Sequence, residues 1–258
     1  MRLTNCLQEF LRTAAAKPAL LIPPWYRIKR LCEGLILKPV LLFDVNETLL
    51  NVDALRPAFL RIFGDENVLK EWFDAVLLYS QTLTIISVYR DFSVLAEDAL
   101  RMVASTRQQD LSREDVKEVL EGIRSLPPHP EVLLALRRLK ARGFRLAALT
   151  NSSKQAVQAQ LANAGLHDLF ENVMSVDAVG KFKPALETYA YACSTLLVAP
   201  KGTMLVAAHP WDVQGAMRAG LRGAFLKRSG KSWFGDDPKP EFESSNLAEL
   251  ADRLLLLD

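Results

Sequence analysis

The chain of 258 residues has few cysteines, little net charge and no long apolar run. Its three cysteines, Cys6, Cys32 and Cys193, are widely separated and odd in number, which argues against a disulfide framework and predicts a cytoplasmic protein. The formal net charge of +2 gives no reason to expect nucleic acid as a partner. No apolar stretch approaches the roughly 20 residues that cross a bilayer, so we expect no membrane partner either.

Residues 1–37 form an N-terminal extension whose role the sequence leaves open. The segment is basic and poor in acidic residues, which is typical of some targeting segments. Lys17, Pro18, Pro23 and Pro24 interrupt its apolar stretch, so no uninterrupted hydrophobic region is visible. The alternative is a helical or irregular extension that packs against the rest of the chain or stays mobile.

The rest of the chain alternates between short apolar runs and amphipathic stretches. Continuous apolar runs that alternate with helices predict a doubly wound parallel α/β sheet, covered on both faces. The five predicted strands are Pro39–Val45, Phe144–Leu149, Asn172–Val176, Thr203–Ala208 and Arg222–Leu226. The predicted helices of this core are Glu131–Arg142, Lys154–Ala164, Ala185–Leu197 and Asp212–Ala219.

An all-helical insertion is predicted between the first two strands. Residues 55–126 carry apolar side chains at helical spacing, such as Leu69, Trp72 and Val76, and no strand-like run interrupts them. The proline-rich stretch 127–130 closes the insertion. We therefore divide the chain into a core of residues 38–54 and 127–258 and a helical cap of residues 55–126.

Candidate catalytic residues follow the predicted strands, where open α/β sheets bind their ligands. Asp44 ends the first strand. Its carboxylate can attack carbon or phosphorus and form an ester, although an Asp here can also cap the next turn. Thr150 and Asn151 end the second strand, where a hydroxyl and helix N-terminal amides can bind an anion. The alternative there is helix capping by Ser152 or Ser153.

Three further residues complete the candidate set. Lys183 precedes the next helix and can place a cation near the same edge of the sheet. The alternative is that Lys183 is a solvated surface charge with no role in a site. His209 and Asp212 follow the fourth strand. A histidine at this place can activate water as a general base, or it can merely bond neighbouring backbone. The other histidines, His129 and His167, fit structural roles better.

These segments, in this order across residues 38–227, resemble the haloacid dehalogenase superfamily, and the helical insertion resembles its cap domain. The resemblance is closest to the L-2-haloacid dehalogenase (type II) branch. Phosphatases of the superfamily carry a second Asp where this chain has Asn46, and a Mg²⁺-binding acid where it has Ala208. The pattern Trp211–Ala216, and Lys183 followed six residues later by Tyr189, look like the dehalogenases.

The resemblance implies a hydrolase that forms an ester on Asp44 and converts a small 2-haloacid to the 2-hydroxy acid, without cofactor or metal. Lys183 and Asp212 are the other implied catalytic residues, and position alone adds His209. Lys183 would keep Asp44 ionised, because an opposite charge within about 4–6 Å lowers a carboxyl pKa. The candidate substrate-binding residues are Thr48, Asn46, Thr150, Asn151, Tyr189, Trp211 and Phe73.

The chain departs from the dehalogenases at several positions. Their cap arginine, which binds substrate and leaving halide, corresponds here to Phe73. Candidate substitutes are Arg56, Arg61 and Arg90. Ala207 and His209 replace the Ser and Asn of the last motif, and Glu47 replaces the Gly before the first motif's Thr. These changes keep the ester chemistry plausible and leave the substrate open.

Two alternative functions stay open at this point. The first is a Mg²⁺-dependent phosphatase or phosphonate-type hydrolase on the same core, and the second is a non-catalytic interaction module. The expected partner is a small-molecule carboxylate. A homodimer is also conceivable, because the apolar cap face formed by Trp72, Phe73, Val76 and Leu77 could pair with a second chain.

Overall fold

The computed structural model describes residues 38–235 and 238–256, so our prediction for residues 1–37 lies outside the described residues. Within them, six parallel strands form one sheet in the order β3-β2-β1-β4-β5-β6. The strands are β1 (Val40–Phe43), β2 (Leu146–Thr150), β3 (Asn172–Ser175), β4 (Thr203–Ala207), β5 (Arg222–Leu226) and β6 (Phe242–Ser244). The predicted parallel α/β sheet is confirmed, and β1 lies between β2 and β4.

The inner strands are buried along their whole length. Every residue of β1, β2 and β4 is buried. This agrees with the continuous apolar runs in the sequence, which predict a sheet covered on both faces. β5 has the predicted bounds, and β1 to β4 begin or end within two residues of the predicted positions. The sequence analysis missed β6, because a three-residue edge strand is too short to show a pattern.

Five helices accompany the strands of the described core. They are α5 (Val132–Ala141), α6 (Lys154–Asn163), α7 (Leu186–Leu196), α8 (Pro210–Arg218) and α9 (Leu247–Leu256). The first four match the predicted helices within two residues, whereas α9 was not predicted. Short 3-10 turns at His167–Leu169, Val176–Ala178 and Pro200–Gly202 complete the connections.

The segment between β1 and β2 begins with four helices, and we call residues 56–124 the helical insertion. After a 3-10 turn at Val52–Leu55, its helices are α1 (Arg56–Phe63), α2 (Val68–Ile85), α3 (Phe92–Thr106) and α4 (Arg113–Arg124). All of residues 56–124 are described, and no strand lies among them. The division into core and cap at residues 55 and 126 stays a prediction.

The apolar face that we expected to pair with a second chain is buried inside the monomer. Trp72 is 0% exposed, its indole N–H donates to the Ala96 carbonyl oxygen at 2.8 Å, and its ring packs on Phe59. Phe73 and Val76 are buried as well. That interpretation of the face was wrong, because helical spacing cannot tell a core face from an interface. Of the helices in the described part of the chain, none is long and apolar enough to span a bilayer.

Candidate active site

Asp44 lies where β1 ends, at the carboxyl edge of the sheet. Its backbone N–H donates to the Val206 carbonyl oxygen at 3.1 Å, which ties the turn after β1 to the neighbouring strand. Leu49 and Leu50 both donate their N–H groups to the Val45 carbonyl oxygen and close that turn. Asp44 itself is 5% exposed. The fold therefore presents a nearly buried carboxylate where parallel sheets bind ligands.

The ammonium of Lys183 bridges the two carboxylates of the site. Lys183 Nζ donates to Asp44 Oδ1 at 2.7 Å, to Asp212 Oδ2 at 2.6 Å and to the Leu149 carbonyl oxygen at 3.1 Å. These three bonds use all the protons of the ammonium. The hydroxyl of Tyr189 donates to the other oxygen, Asp212 Oδ1, at 2.6 Å. The structure thus brings together four of the predicted site residues in one buried network.

Burial and charge act in opposite directions on this network. Burial disfavours the ionised form of Asp44, but the positive charge of Lys183 and the hydrogen bonds from Lys183 and Thr48 outweigh it, so the pKa of Asp44 is lowered. Burial together with repulsion from Asp44 raises the pKa of Asp212, even though Lys183 and Tyr189 oppose the shift. For Lys183, burial is outweighed by the two carboxylates, and its pKa is raised. Asp44 is therefore an ionised carboxylate next to a permanent cation.

Thr48 bonds the second oxygen of the nucleophile. Its hydroxyl donates to Asp44 Oδ2 at 2.6 Å and accepts the backbone N–H of Ala208 at 3.0 Å. The only hydroxyl proton of Thr48 is committed to Asp44, so this residue holds the nucleophile in place. Direct binding of a substrate by Thr48 stays a prediction.

The carboxyl end of β2 contacts the backbone of Lys183. The backbone N–H of Lys183 donates to Asn151 Oδ1 at 3.0 Å, and Thr150 Oγ1 accepts the N–H of Ser152 at 3.1 Å. The capping role goes to Ser153, whose hydroxyl accepts the Ala156 N–H at 3.4 Å. Capping and site formation therefore coexist on neighbouring residues, as the sequence allowed.

Asn46 is held by its neighbours. Its amide donates to Ser152 Oγ at 3.2 Å, and its Oδ1 accepts from Gln160 Nε2 at 3.0 Å. An amide does not ionise near neutral pH and cannot act as a general acid, and both ends of this one already have partners. The position at which superfamily phosphatases carry their general acid is thus occupied by a structural residue.

The other side of Asp44 holds His209, with an acid that the sequence analysis gave no role. His209 Nε2 lies 4.0 Å from Asp44 Oδ2 and 3.3 Å from Glu47 Oε2. Glu47 is also paired with Lys231, whose Nζ donates to Oε2 at 2.8 Å. The His209 ring lies beside Trp211, with ring centroids 5.0 Å apart.

Glu47 also lines a cleft between the turn after β1, the helical insertion and the loop after β5. The cavity measures ≈150 Å³, and Phe73 and Lys231 lie in its wall. Arg56 is the candidate for the missing arginine that reaches this cleft, where it is paired with Asp53. The other two candidates form ion pairs elsewhere in the helical insertion: Arg61 with Asp115 and Glu118, and Arg90 with Asp98.

The sequence as a whole agrees with this geometry. A family profile described as a hydrolase, haloacid dehalogenase-like hydrolase, matches residues 39–220. The chain belongs to the haloacid dehalogenase-like hydrolase family. The match spans β1 through α8, so it includes Asp44, Lys183 and Asp212 in their structural context.

Individual relatives of the family are similar over most of the chain. An (S)-2-haloacid dehalogenase of Pseudomonas sp. (strain YL) is 29% identical over 80% of this chain and 87% of its own length. Haloacetate dehalogenase H-2 of Moraxella sp. (strain B) is 28% identical over 78% of this chain and 88% of its own. The L-2-haloacid dehalogenase of Xanthobacter autotrophicus, solved with chloropropionic acid covalently bound, has a TM-score of 0.79. It is 26% identical over 85% of this chain and 99% of that chain.

Sequence reasoning within this family missed two site residues and one packing constraint. Glu47 appeared only as a departure from the family pattern, and nothing near Lys231 marked it as a neighbour of the nucleophile. Gly215, in the Trp211–Ala216 pattern, lets α8 approach closely: an added Cβ would lie 2.6 Å from Pro184 Cβ and 2.8 Å from Tyr189 Oη. Gly215 in the sequence could have indicated this close approach. The contact between Glu47 and Lys231 joins residues far apart in the chain, so no local sequence pattern indicates it.

Proposed function

We propose that this enzyme hydrolyses the carbon–halogen bond of small 2-haloacids and yields the 2-hydroxy acid through an ester on Asp44. The observation that carries the proposal is the ionised Asp44 carboxylate, held by Lys183 at one oxygen and Thr48 at the other. The names of the relatives, (S)-2-haloacid dehalogenase among them, support the choice of substrate class.

The first step is a displacement at carbon. An oxygen of Asp44 attacks C2 of the substrate, the new C–O bond forms, and the halide leaves with the electron pair of the C–X bond. Lys183 holds Asp44 in the attacking position and keeps it ionised. Attack from the side opposite the halide makes the positioning of the substrate by its carboxylate essential.

The second step is hydrolysis of the ester. Water adds to the carbonyl carbon of Asp44, and the bond from that carbon to the ester oxygen on C2 breaks. That oxygen, which came from Asp44, takes one proton of the water and leaves in the 2-hydroxy acid. One proton is released over the cycle, and we assign its acceptance from water to His209. Asp212 has both oxygens engaged by Lys183 and Tyr189, so its role is to position Lys183.

Substrate binding falls to residues around the nucleophile. We assign the substrate carboxylate to the Thr150 hydroxyl and the amides that follow β2 at Asn151, and the pocket wall to Trp211 and Phe73. The three remaining predicted binders support the site through their hydrogen bonds: Thr48, Asn46 and Tyr189. Arg56 is the proposed replacement for the cap arginine, whose place in this chain is taken by Phe73.

Cellular location and assembly are part of the same proposal. The reducing, cytoplasmic compartment follows from cysteine usage, and Cys193 is a free, buried thiol. A homodimer would have to use a surface other than the buried Trp72 face. Light scattering on the purified chain measures its mass directly.

A labelled single-turnover experiment tests the function. Enzyme in excess over a 2-halo acid, in H₂¹⁸O, is quenched and weighed intact, with a panel of 2-chloro and 2-bromo acids. An ester route predicts a transient mass increase that maps to Asp44, followed by ¹⁸O in Asp44 and not in the product. Label in the product would mean direct attack by water. Turnover of a generic phosphate ester, with none of any halo acid, would favour the phosphatase alternative.

A further inference from the structure

Three charged or titratable side chains form a line from the cleft to the nucleophile. Lys231 Nζ lies 2.8 Å from Glu47 Oε2, Glu47 Oε2 lies 3.3 Å from His209 Nε2, and His209 Nε2 lies 4.0 Å from Asp44 Oδ2. Glu47 and Lys231 come from the turn after β1 and the loop after β5. The line therefore exists only in the folded chain.

The imidazole of His209 has polar capacity that the protein does not use. The residue is 4% exposed, and within residues 38–235 and 238–256 its ring makes no hydrogen bond. It occupies the N-cap position of α8 without bonding the helix N–H groups. A gap of 4.0 Å to Asp44 is too long for a hydrogen bond. One water molecule beside the pair can reach both atoms at normal distances.

The opposite side of Asp44 offers no comparable acceptor. Asp212 is 0% exposed, and its two oxygens already accept from Lys183 and Tyr189. A water molecule that attacks the ester carbonyl needs an acceptor for its proton. His209 is the titratable group that faces Asp44 without a hydrogen bond of its own.

Glu47 occupies a backbone conformation that favours glycine. Its φ is +61°, in the left-handed region that non-glycine residues rarely adopt. Glycine would adopt this conformation without strain, so the chain carries a carboxylate here at a conformational cost. Strain of this kind is often found where a side chain is needed for function.

We infer that Glu47, held by Lys231, is the positioning residue that stabilises the positive charge His209 gains when it takes the proton of the hydrolytic water. That charge is absent while the ester forms and develops only while the ester breaks down. An interaction made with the developing charge accelerates that step selectively. The proton then leaves from His209 through the cleft that Glu47 lines. The inference rests on the proposed function, because it assigns a residue to its second step.

The test separates ester formation from ester breakdown. Wild type, Glu47→Gln, Glu47→Gly and Glu47→Asp are mixed with limiting 2-bromopropionic acid, quenched at intervals and weighed intact. Gln and Gly variants should form the Asp44 ester within about threefold of the wild-type rate and break it down at least tenfold more slowly, so that the adduct accumulates. Asp keeps the charge on a shorter arm, so its breakdown rate should fall between those of wild type and Gln.

Two controls make a merely structural role visible. Asp74→Asn removes an acid from the same cleft, where Asp74 is exposed and paired with Lys70, and it should leave both steps unchanged. Glu47→Gly removes the strain at φ +61°, so its melting temperature should equal or exceed that of wild type while breakdown slows. If Glu47 had only a structural role, the activity of each variant would fall together with its melting temperature.

The outcomes are distinct. Normal ester breakdown in Glu47→Gln and Glu47→Gly, or parallel loss of both steps together with a lower melting temperature, would overturn the inference and leave the proposed function intact. Failure of the unaltered enzyme to turn over any 2-halo acid would overturn the proposed function, and this inference with it.

Discussion

The two sides of Asp44 differ in how completely their polar atoms are bonded. On the Lys183 side, the ammonium donates three hydrogen bonds and Asp212 accepts at both oxygens, with 1% and 0% of these residues exposed. On the His209 side, the ring is equally sheltered, yet it meets Glu47 and Asp44 only at 3.3 and 4.0 Å. One side is saturated, and the other has unused capacity.

In the proposed mechanism, this difference separates the part of the site that prepares the nucleophile from the part that accepts the proton of water. A saturated network fixes Asp44 and keeps it charged, but it has no free acceptor for a proton. An imidazole that makes no hydrogen bond to the protein is free to bond water or a ligand. Two of the positions at which the sequence departs from the dehalogenases it resembles, Glu47 and His209, lie on the unsaturated side.

The largest expected effect comes from removing the nucleophile that both sides share. Asp44→Asn keeps the shape of the side chain but cannot form the ester, so turnover of 2-halo acids should fall by at least about 10³-fold. Halide release measured under saturating substrate checks this. A variant that kept a tenth of the activity would remove Asp44 from the mechanism.

The saturated side is tested by a matched pair of lysines. Lys183→Ala leaves the Asp44 and Asp212 carboxylates buried without their cation, which costs about 3–5 kcal/mol of stability, and we expect a loss of activity of about 10²-fold or more. Lys181→Ala removes an exposed lysine paired with Glu187 and should change little. Melting temperatures and halide release are measured for both. Equal effects would mean that the lysine of the motif has been assigned wrongly.

The same contrast explains how much of the site could be predicted. Asp44, Lys183 and Asp212 lie in segments that follow strands of the apolar core, and the order of these segments resembles the family, so periodicity and the resemblance together predicted that they meet. Glu47 and Lys231 are 184 residues apart, and no local pattern joins them. The left-handed φ of Glu47 could not be predicted from the sequence, because glutamate rarely adopts that conformation.

The fold shows a similar limit. Continuous apolar runs predicted β1 to β5, because burial on both faces leaves no room for polar residues. β6 was missed, since a three-residue edge strand carries a weak periodic signal. α9 was missed although its buried residues Leu247, Leu250, Ala251 and Leu254 recur at helical spacing, which was a usable signal. Helical spacing on Trp72 and Phe73 was visible, but their burial against other helices of the insertion depended on tertiary packing.

The unsaturated side predicts a smaller and more selective loss. If His209 accepts the proton of the hydrolytic water, His209→Ala should slow ester breakdown by about 10²-fold and leave ester formation nearly unchanged. Quenched intact mass should therefore show the Asp44 adduct accumulating. Failure before any adduct forms, or normal turnover, would show that His209 does not activate the water. His167→Ala, at an exposed position beside Asp168, is the matched control.

The smallest expected effect is that of metal removal. A cation between Asp44 and Asp212 is already present, because the Lys183 ammonium lies 2.7 and 2.6 Å from the two carboxylates. Asn46 cannot supply a third carboxylate, and its amide is bonded to Ser152 and Gln160. Halide release should therefore be unchanged after dialysis against EDTA, and added Mg²⁺ should not increase it. Loss of activity on chelation with recovery on Mg²⁺ would mean that a metal ion takes part in turnover. The phosphatase alternative would then replace the dehalogenase proposal.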